Sequence, residues 1–183
     1  MKNKINVVIG SWGSYNECNE RALGSNWLTL NDYSDWEEIE EELIKEGFIL
    51  NGIDEELFIQ DVEGIKGFSC DYMHPKRLFN LCRDAGILED QYKYEVALAY
   101  IEAIGFDDFE SLVEDNGDSW DDDIYFYEGK TIEDVLEEMV EECYDLNFDK
   151  LGWLSHYITI DYEQMARDSD NYYEVSNGVI EIR

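Results

Sequence analysis

The chain has 183 residues, 44% of them hydrophobic and 14% aromatic, with 45 acidic against 13 basic side chains and a formal charge of −32. That apolar share suffices for a buried core, and the aromatics exclude an acidic disordered tail. A field of this sign repels nucleic acid and anionic membranes and attracts basic protein surfaces.

The charge is uneven along the chain. Residues 1–72 hold 16 acids and 5 bases, residues 73–106 hold 5 and 4, and residues 107–183 hold 24 and 4. The near-neutral middle, bounded by Gly67 and Gly105, divides the chain into three expected modules: an N-terminal sheet plus helix (1–72), a helical middle (73–106) and an acidic α+β module (107–183). With a single proline there is no Pro-rich linker.

In the first module Ile5 to Ile9 is a β-branched run ending at Gly10, a strand by composition. Ser11 to Leu23, with Gly13, Ser14 and Asn16, reads as a loop. Trp27 to Leu30 reads as a second strand. Ser34 and Glu37 have capping-box spacing. The helix they open buries Trp36, Ile39, Leu43 and Ile44, exposes Glu37, Glu38, Glu41 and Glu42, and ends at Gly47. Leu57 to Val62 is the third strand.

In the middle module Pro75 fits the first turn of a helix that runs to Ala85, with Leu78, Leu81 and Cys82 inward. Asp90 to Ile104 is the next helix, burying Tyr94, Ala97, Leu98 and Ile101, with Gly105 after it. A short helix, Asp107 to Glu114, leads into a turn at Asn116-Gly117.

The third module carries the densest charge. Between Asp107 and Glu142 lie 16 acids and one base, Lys130. Ile124 to Tyr127 reads as a strand. Thr131 caps a helix whose apolar face is Ile132, Val135, Leu136, Met139, Val140 and Cys143. The opposite face carries Glu133, Glu137 and Glu141 in one row and Asp134, Glu138 and Glu142 in the next. Carboxylates in a row sit about 6 Å apart, and six over about 14 Å of axis is roughly one per 2.3 Å. Duplex DNA carries one charge per about 1.7 Å. Each i,i+4 like-charge pair costs roughly 0.2–0.5 kcal/mol, so the apolar face must hold this helix together. Leu151 to Tyr157 reads as a helical turn and Tyr162 to Asp168 as a short helix. Tyr172 to Ser176 and Val179 to Ile182 form a hairpin about Asn177-Gly178.

Catalytic and metal chemistry find little support. Paired carboxylates occur everywhere and so select nothing, and no G-x-S-x-G, phosphate-loop or dinucleotide motif is present. Cysteines 18, 70, 82 and 143 lack C-x-x-C spacing, and His74 and His156 are far apart, so no metal site or cofactor is expected. Asp145-Leu-Asn147-Phe-Asp149 begins like a calcium loop. It then places Lys150 where glycine is needed and His156 where the bidentate glutamate belongs. No apolar run is long enough for a signal peptide or a membrane span, which points to the cytoplasm and reduced thiols. The aromatic run Trp120 to Tyr127 is read as core, with its outward residues available for a subunit contact. The acidic coat itself has two readings, generic solubility or imitation of a polyanion; −32 matches the phosphates of about 16 base pairs.

Three stretches resemble one family, the ArdA-type antirestriction proteins. Gly10 to Glu17 (GSWGSYNE) followed by Gly24 to Leu30 (GSNWLTL) looks like that family's opening loop and strand. Glu55 to Gly64 (EELFIQDVEG) is similar to its acidic E-E-x-x-I-x-D-Y-E-G signature, with Val62 at the aromatic position. Tyr157 to Asp168 (YITIDYEQMARD) resembles its Y-I-D-Y-x-x-x-A-R-D element, with Thr159-Ile160 interposed.

The resemblance implies an elongated three-module α+β protein that is not an enzyme, dimerises through its C-terminal module, and mimics DNA in the groove of type I restriction–modification enzymes. The expected mimic carboxylates are Asp107, Asp108, Glu110, Glu114, Asp115, Asp118, Asp121, Asp122, Asp123, Glu133, Asp134, Glu137, Glu138, Glu141 and Glu142, extended by Glu37, Glu38, Glu41 and Glu42. Ile124, Tyr125, Phe126 and Tyr127 are the expected dimer contact. The expected partner is the basic groove of that enzyme, with neither nucleic acid nor membrane bound. The alternative is an acidic adaptor for another basic DNA-binding protein; a metal-dependent hydrolase is the remaining class.

Overall fold

The computed structural model describes residues 4–67, 73–143 and 148–183. The fold is α+β, with seven α-helices and two three-stranded antiparallel sheets among the described residues. Cys70 and most of the calcium-loop look-alike at 145–149 lie outside the described residues. The chain divides into two compact units, Met1–Asp122 and Asp123–Arg183.

The first unit begins with a sheet ordered β2-β1-β3, in which β1 (Asn6–Ser11) pairs on either side with β2 (Leu28–Thr29) and β3 (Leu57–Glu63). As the central strand, β1 buries consecutive residues, Val7 to Ser11, on both faces. The register with β3 shifts between Val8 and Ile9, so Gln60 is the extra residue of a bulge.

The stretch expected as loop after β1 contains a short helix, α1 (Trp12–Glu17). The Ser11 side chain accepts from the Ser14 amide as its N-cap, and Cys18 takes a left-handed conformation (φ 51°) to end it. Tertiary contacts fix it there. The Ser14 hydroxyl bonds the buried carboxylate of Asp54, and Trp12 stacks on Phe58 with ring centres 4.3 Å apart.

Helix α2 (Trp36–Lys45) buries Trp36, Ile39 and Leu43 as its spacing predicts, whereas Ile44 points to solvent. Its cap sits one residue later than expected. Asp35 accepts from the Glu38 amide, and the Glu38 carboxylate reaches back to the Ser34 amide. Asp at the cap takes the role assigned to Ser34 because a carboxylate oxygen beside the positive helix end is the stronger acceptor.

Helices α3 (Pro75–Asp84), α4 (Gln91–Ala103) and α5 (Phe106–Asn116) complete this unit. Leu78, Phe79, Cys82, Val96 and Phe109 are fully buried between them. Burial pushes the Cys82 thiol up to about 12. Leu98, expected inward, is half-buried; Val96, Ala99 and Tyr100 are buried instead, because α4 is covered on most sides. Sheet and helices share contacts: the Asn31 amide donates to Leu88 O at 2.6 Å, and the Tyr94 hydroxyl donates to Gly64 O.

The second unit is built on the sheet β4-β6-β5, with β4 (Ile124–Glu128), β5 (Tyr172–Val175) and β6 (Gly178–Ile182). The hairpin forms, with Ser176-Asn177 as its two-residue turn in place of Asn177-Gly178. Gly178 is needed in the strand itself: a Cβ there would stand 2.2 Å from Tyr127 O across the β4–β6 pair. Helix α6 (Ile132–Cys143) lies against β5, where the Tyr172 hydroxyl meets the Met139 sulfur at 3.9 Å. It buries Val135, Leu136 and Val140; Cys143, assigned to the apolar face, is exposed in its last turn. Residues Phe148–Tyr157 form 3₁₀ turns that meet at Gly152 (φ 57°), and α7 (Tyr162–Arg167) packs on α6.

Candidate interaction surface

The first unit presents carboxylates from α2, α5 and the turn that follows. On α2, Glu37, Glu38 and Glu41 are exposed, while Glu42 is half-exposed and paired with Lys45 at 3.1 Å. On α5, Asp107 and Asp108 lie in the first turn, where the helix dipole favours anions. Glu114 and Asp115 lie in its last two turns, where the dipole opposes them, and both are exposed. Within the 3₁₀ turn Gly117–Ser119 Asp118 is exposed, and after it Asp122 is exposed and Asp121 half-buried.

Beneath this coat the core is aromatic. Trp120 is buried, edge-on to Phe109 with ring centres 5.2 Å apart, and Phe109 meets Phe106 at 6.3 Å. The apolar face of α5 therefore points inward and forces its acids outward.

Two bases from neighbouring helices reach into the coat. Arg77 on α3 places Nε 2.7 Å from Glu110 Oε1 and Nη2 3.2 Å from Glu114 Oε1. The Nε–H is not aimed at Glu110, whose Oε1 lacks a hydrogen-bond partner among the described residues, so that pairing is one of charge. Burial lifts the Glu110 carboxyl above its usual value, against the pull of Arg77. Lys93 on α4 donates to Asp118 O at 2.7 Å and stands 3.2 Å from Asp121 and 3.7 Å from Asp118 carboxylate oxygens. Burial pulls the Lys93 ammonium down, but the two aspartates outweigh it and hold it raised.

In the second unit Asp123, Asp134, Glu137, Glu138, Glu141 and Glu142 are exposed and Glu133 is half-buried. The α6 cap is reciprocal: Thr131 Oγ1 accepts from the Asp134 amide at 3.2 Å, and Asp134 accepts from the Thr131 amide at 3.0 Å. Those bonds to Thr131 hold the Asp134 carboxyl below its ordinary value. Lys130 pairs with Glu138. Helix α7 packs on α6, and at its start the Tyr162 hydroxyl is raised by desolvation and then by Glu137 and Glu141.

The four residues expected at a dimer contact are divided. Ile124 is buried, Phe126 and Tyr127 are half-buried, and Tyr125 is exposed with the Arg183 guanidinium 4.4 Å over its ring. Among the described residues β4 pairs only with β6 and is an edge strand.

Sequence reasoning assigned no role to Arg77, Lys93 or the buried Glu181, and marked Lys130 as the one base of the acidic stretch without its partner Glu138. The one available signal was that so few bases stand in so acidic a chain that each finds several carboxylates within reach. Among the described residues no group of three or more His, Cys, Asp or Glu is placed to hold a metal ion, and no helix is long and apolar enough to cross a membrane.

An α+β scaffold of this kind, with aromatics inside and carboxylates along the outer helix faces, defines a class of strongly anionic proteins suited to basic protein surfaces. The family model of the ArdA antirestriction proteins matches residues 7–181, and the chain belongs to that family. Its role is antirestriction, and restriction enzymes are the partners the family implies. No curated protein matches the chain.

Proposed function

We propose that the protein blocks restriction by mimicking B-form DNA and competing for the DNA-binding groove of type I restriction–modification enzymes. The observation that carries this reading is α6. One helix face exposes Asp134, Glu137, Glu138, Glu141 and Glu142 while Val135, Leu136 and Val140 anchor the other. Carboxylates in each row repeat about every 6 Å along a rigid axis, and the two rows together give roughly one charge per 2.3 Å, against about 1.7 Å on duplex DNA. The exposed acids of α2, α5 and the turn from Asp118 to Asp123 add to the same surface chemistry. Lysines and arginines that hold phosphates then meet carboxylates, and counterions are released as they are on DNA. No bond is made or broken.

Within this reading the stretches 1–72, 73–106 and 107–183 are modules of charge, with a near-neutral centre between two acidic parts. The working form is a homodimer in the cytoplasm, with the edge strand β4 in the contact. A Phe126→Ala protein should sediment as a smaller species than the wild type; unchanged sedimentation removes β4 from the interface.

The test of function is titration of the protein into cleavage and methylation reactions of a purified type I enzyme. Competitive occupancy predicts inhibition that excess unmodified duplex relieves. Inhibition that no amount of duplex relieves contradicts it.

A further inference from the structure

We infer that Arg77 is a brake on this surface: it cancels Glu114, an exposed carboxylate that would otherwise meet the basic groove of the restriction enzyme. The inference rests on the reading of the carboxylates as substitutes for phosphates.

Arg77 spans two carboxylates one turn apart on α5, and they differ in what they need from it. The Glu110 side chain is 15% exposed and Glu114 is 61% exposed. A carboxylate turned inward requires a nearby cation, because burial without one is costly. A carboxylate turned outward is solvated by water and requires none. Arg77 nevertheless lies 3.2 Å from Glu114, in an open cleft of about 970 Å³ between α3 and α5. Arg77 is far more exposed than Glu110, so a partner's lysine or arginine approaching Glu114 meets the guanidinium ahead of the inward carboxylate, and the positive charge offsets most of the outer carboxylate's field.

The Lys93 clamp has the same inner and outer members, with Asp121 at 15% and Asp118 at 93% exposed. It differs in one respect. Lys93 is itself 20% exposed and bonds the main chain at Asp118 O, so it holds the shape of the turn. Arg77 is 57% exposed, and both of its partners are side chains on α5; its own helix is already fixed by the buried Leu78 and Phe79, and α5 by the buried Phe109 and Val113. Charge at Arg77 can therefore be removed without moving the backbone.

The deciding variant is Arg77→Gln with Glu110→Gln. It removes the cation and the inward carboxylate together, keeps the net charge of the chain, and leaves Glu114 uncompensated. Expected is inhibition about fivefold tighter at 0.1 M salt, with the log–log salt slope steeper by about 0.9. Adding Glu114→Gln should return both to wild type. A folded double variant with unchanged or weaker inhibition overturns the inference. Should it not fold, Glu114→Gln alone decides: the wild-type slope should persist, and a shallower slope overturns the inference. A wild-type protein whose inhibition ignores salt would instead sink the mimicry reading, whatever the variants do.

Discussion

The indole N–H of Trp120 donates to the carbonyl oxygen of Ala85 at 2.9 Å, tying the acidic turn after α5 to the end of α3. Both residues are buried, so neither group has water as a substitute. Trp120→Phe keeps the ring against Phe109 but orphans that carbonyl, and should cost about 1–3 kcal/mol. Trp120→Ala should cost about 3–5 kcal/mol. Urea unfolding reads both. A Trp120→Phe protein as stable as wild type would mean the bond contributes nothing.

Glu181 is a buried carboxylate in a chain overloaded with them, 3% exposed on the central strand β6. Two neighbours meet its oxygens. Arg183 Nε stands 2.7 Å from one oxygen, and the Tyr127 hydroxyl donates to the other at 2.9 Å. Burial, and then that bond, raise the Tyr127 phenol above its usual value. Tyr127→Phe should cost about 1–2 kcal/mol by removing one donor to a charged acceptor. Denaturant unfolding followed by the second unit's aromatic signal reads it, and no change would show that Arg183 alone satisfies Glu181.

Asp54 gives a pH test. Burial pushes its carboxyl up, but the Ile49 amide at 2.8 Å and hydroxyls from Ser14 and Ser11 outweigh burial and hold it below the ordinary value. A carboxyl lowered on folding contributes stability above its unfolded pKa, and loses it as pH falls through the folded value. The stability gap between wild type and Asp54→Asn should therefore be full at neutral pH and begin to close below about pH 4. A gap independent of pH would show that the charge of Asp54 plays no part.

Much of this architecture can be read along the chain because its elements are amphipathic. The faces of α2 and α6 follow from the spacing of Trp36, Ile39 and Leu43, and of Val135, Leu136 and Val140. What could not be read depends on contacts distant in sequence. Helix α1 is held by Asp54, 40 residues from Ser14, so its Gly- and Ser-rich stretch looks like loop. Gly178 is demanded by Tyr127 O on another strand, which is why the hairpin turn falls one residue earlier than its Asn-Gly pair suggests. Cys143 keeps the apolar period of α6 but lies in the last turn, exposed.

The candidate surface divides in the same way. That Glu137 and Glu141 face outward follows from helical period alone. That Glu110 and Asp121 turn inward does not, since each depends on a base from another helix, Arg77 or Lys93. No periodicity within the acidic stretch marks those two residues apart from their neighbours.

Binding spread over many carboxylates predicts small single effects and large collective ones. Glu137→Gln or Glu141→Gln alone should weaken inhibition by no more than a few-fold. Reversing Glu137, Glu138, Glu141 and Glu142 to lysine together should weaken it by several orders of magnitude, since each lost contact removes close to one released counterion. Inhibition assays at fixed salt, with circular dichroism to verify the helix, read the difference. Equal potency for the four-site variant would remove α6 from the interface.

The most direct measurement is the equilibrium binding of the wild-type protein to a purified type I enzyme, without DNA, at salt concentrations from about 0.05 to 0.5 M. Phosphate mimicry predicts a straight log–log plot falling with a slope near that of the enzyme's own duplex, about −0.9 for each engaged carboxylate. A binding constant that stays flat across that range would contradict the account.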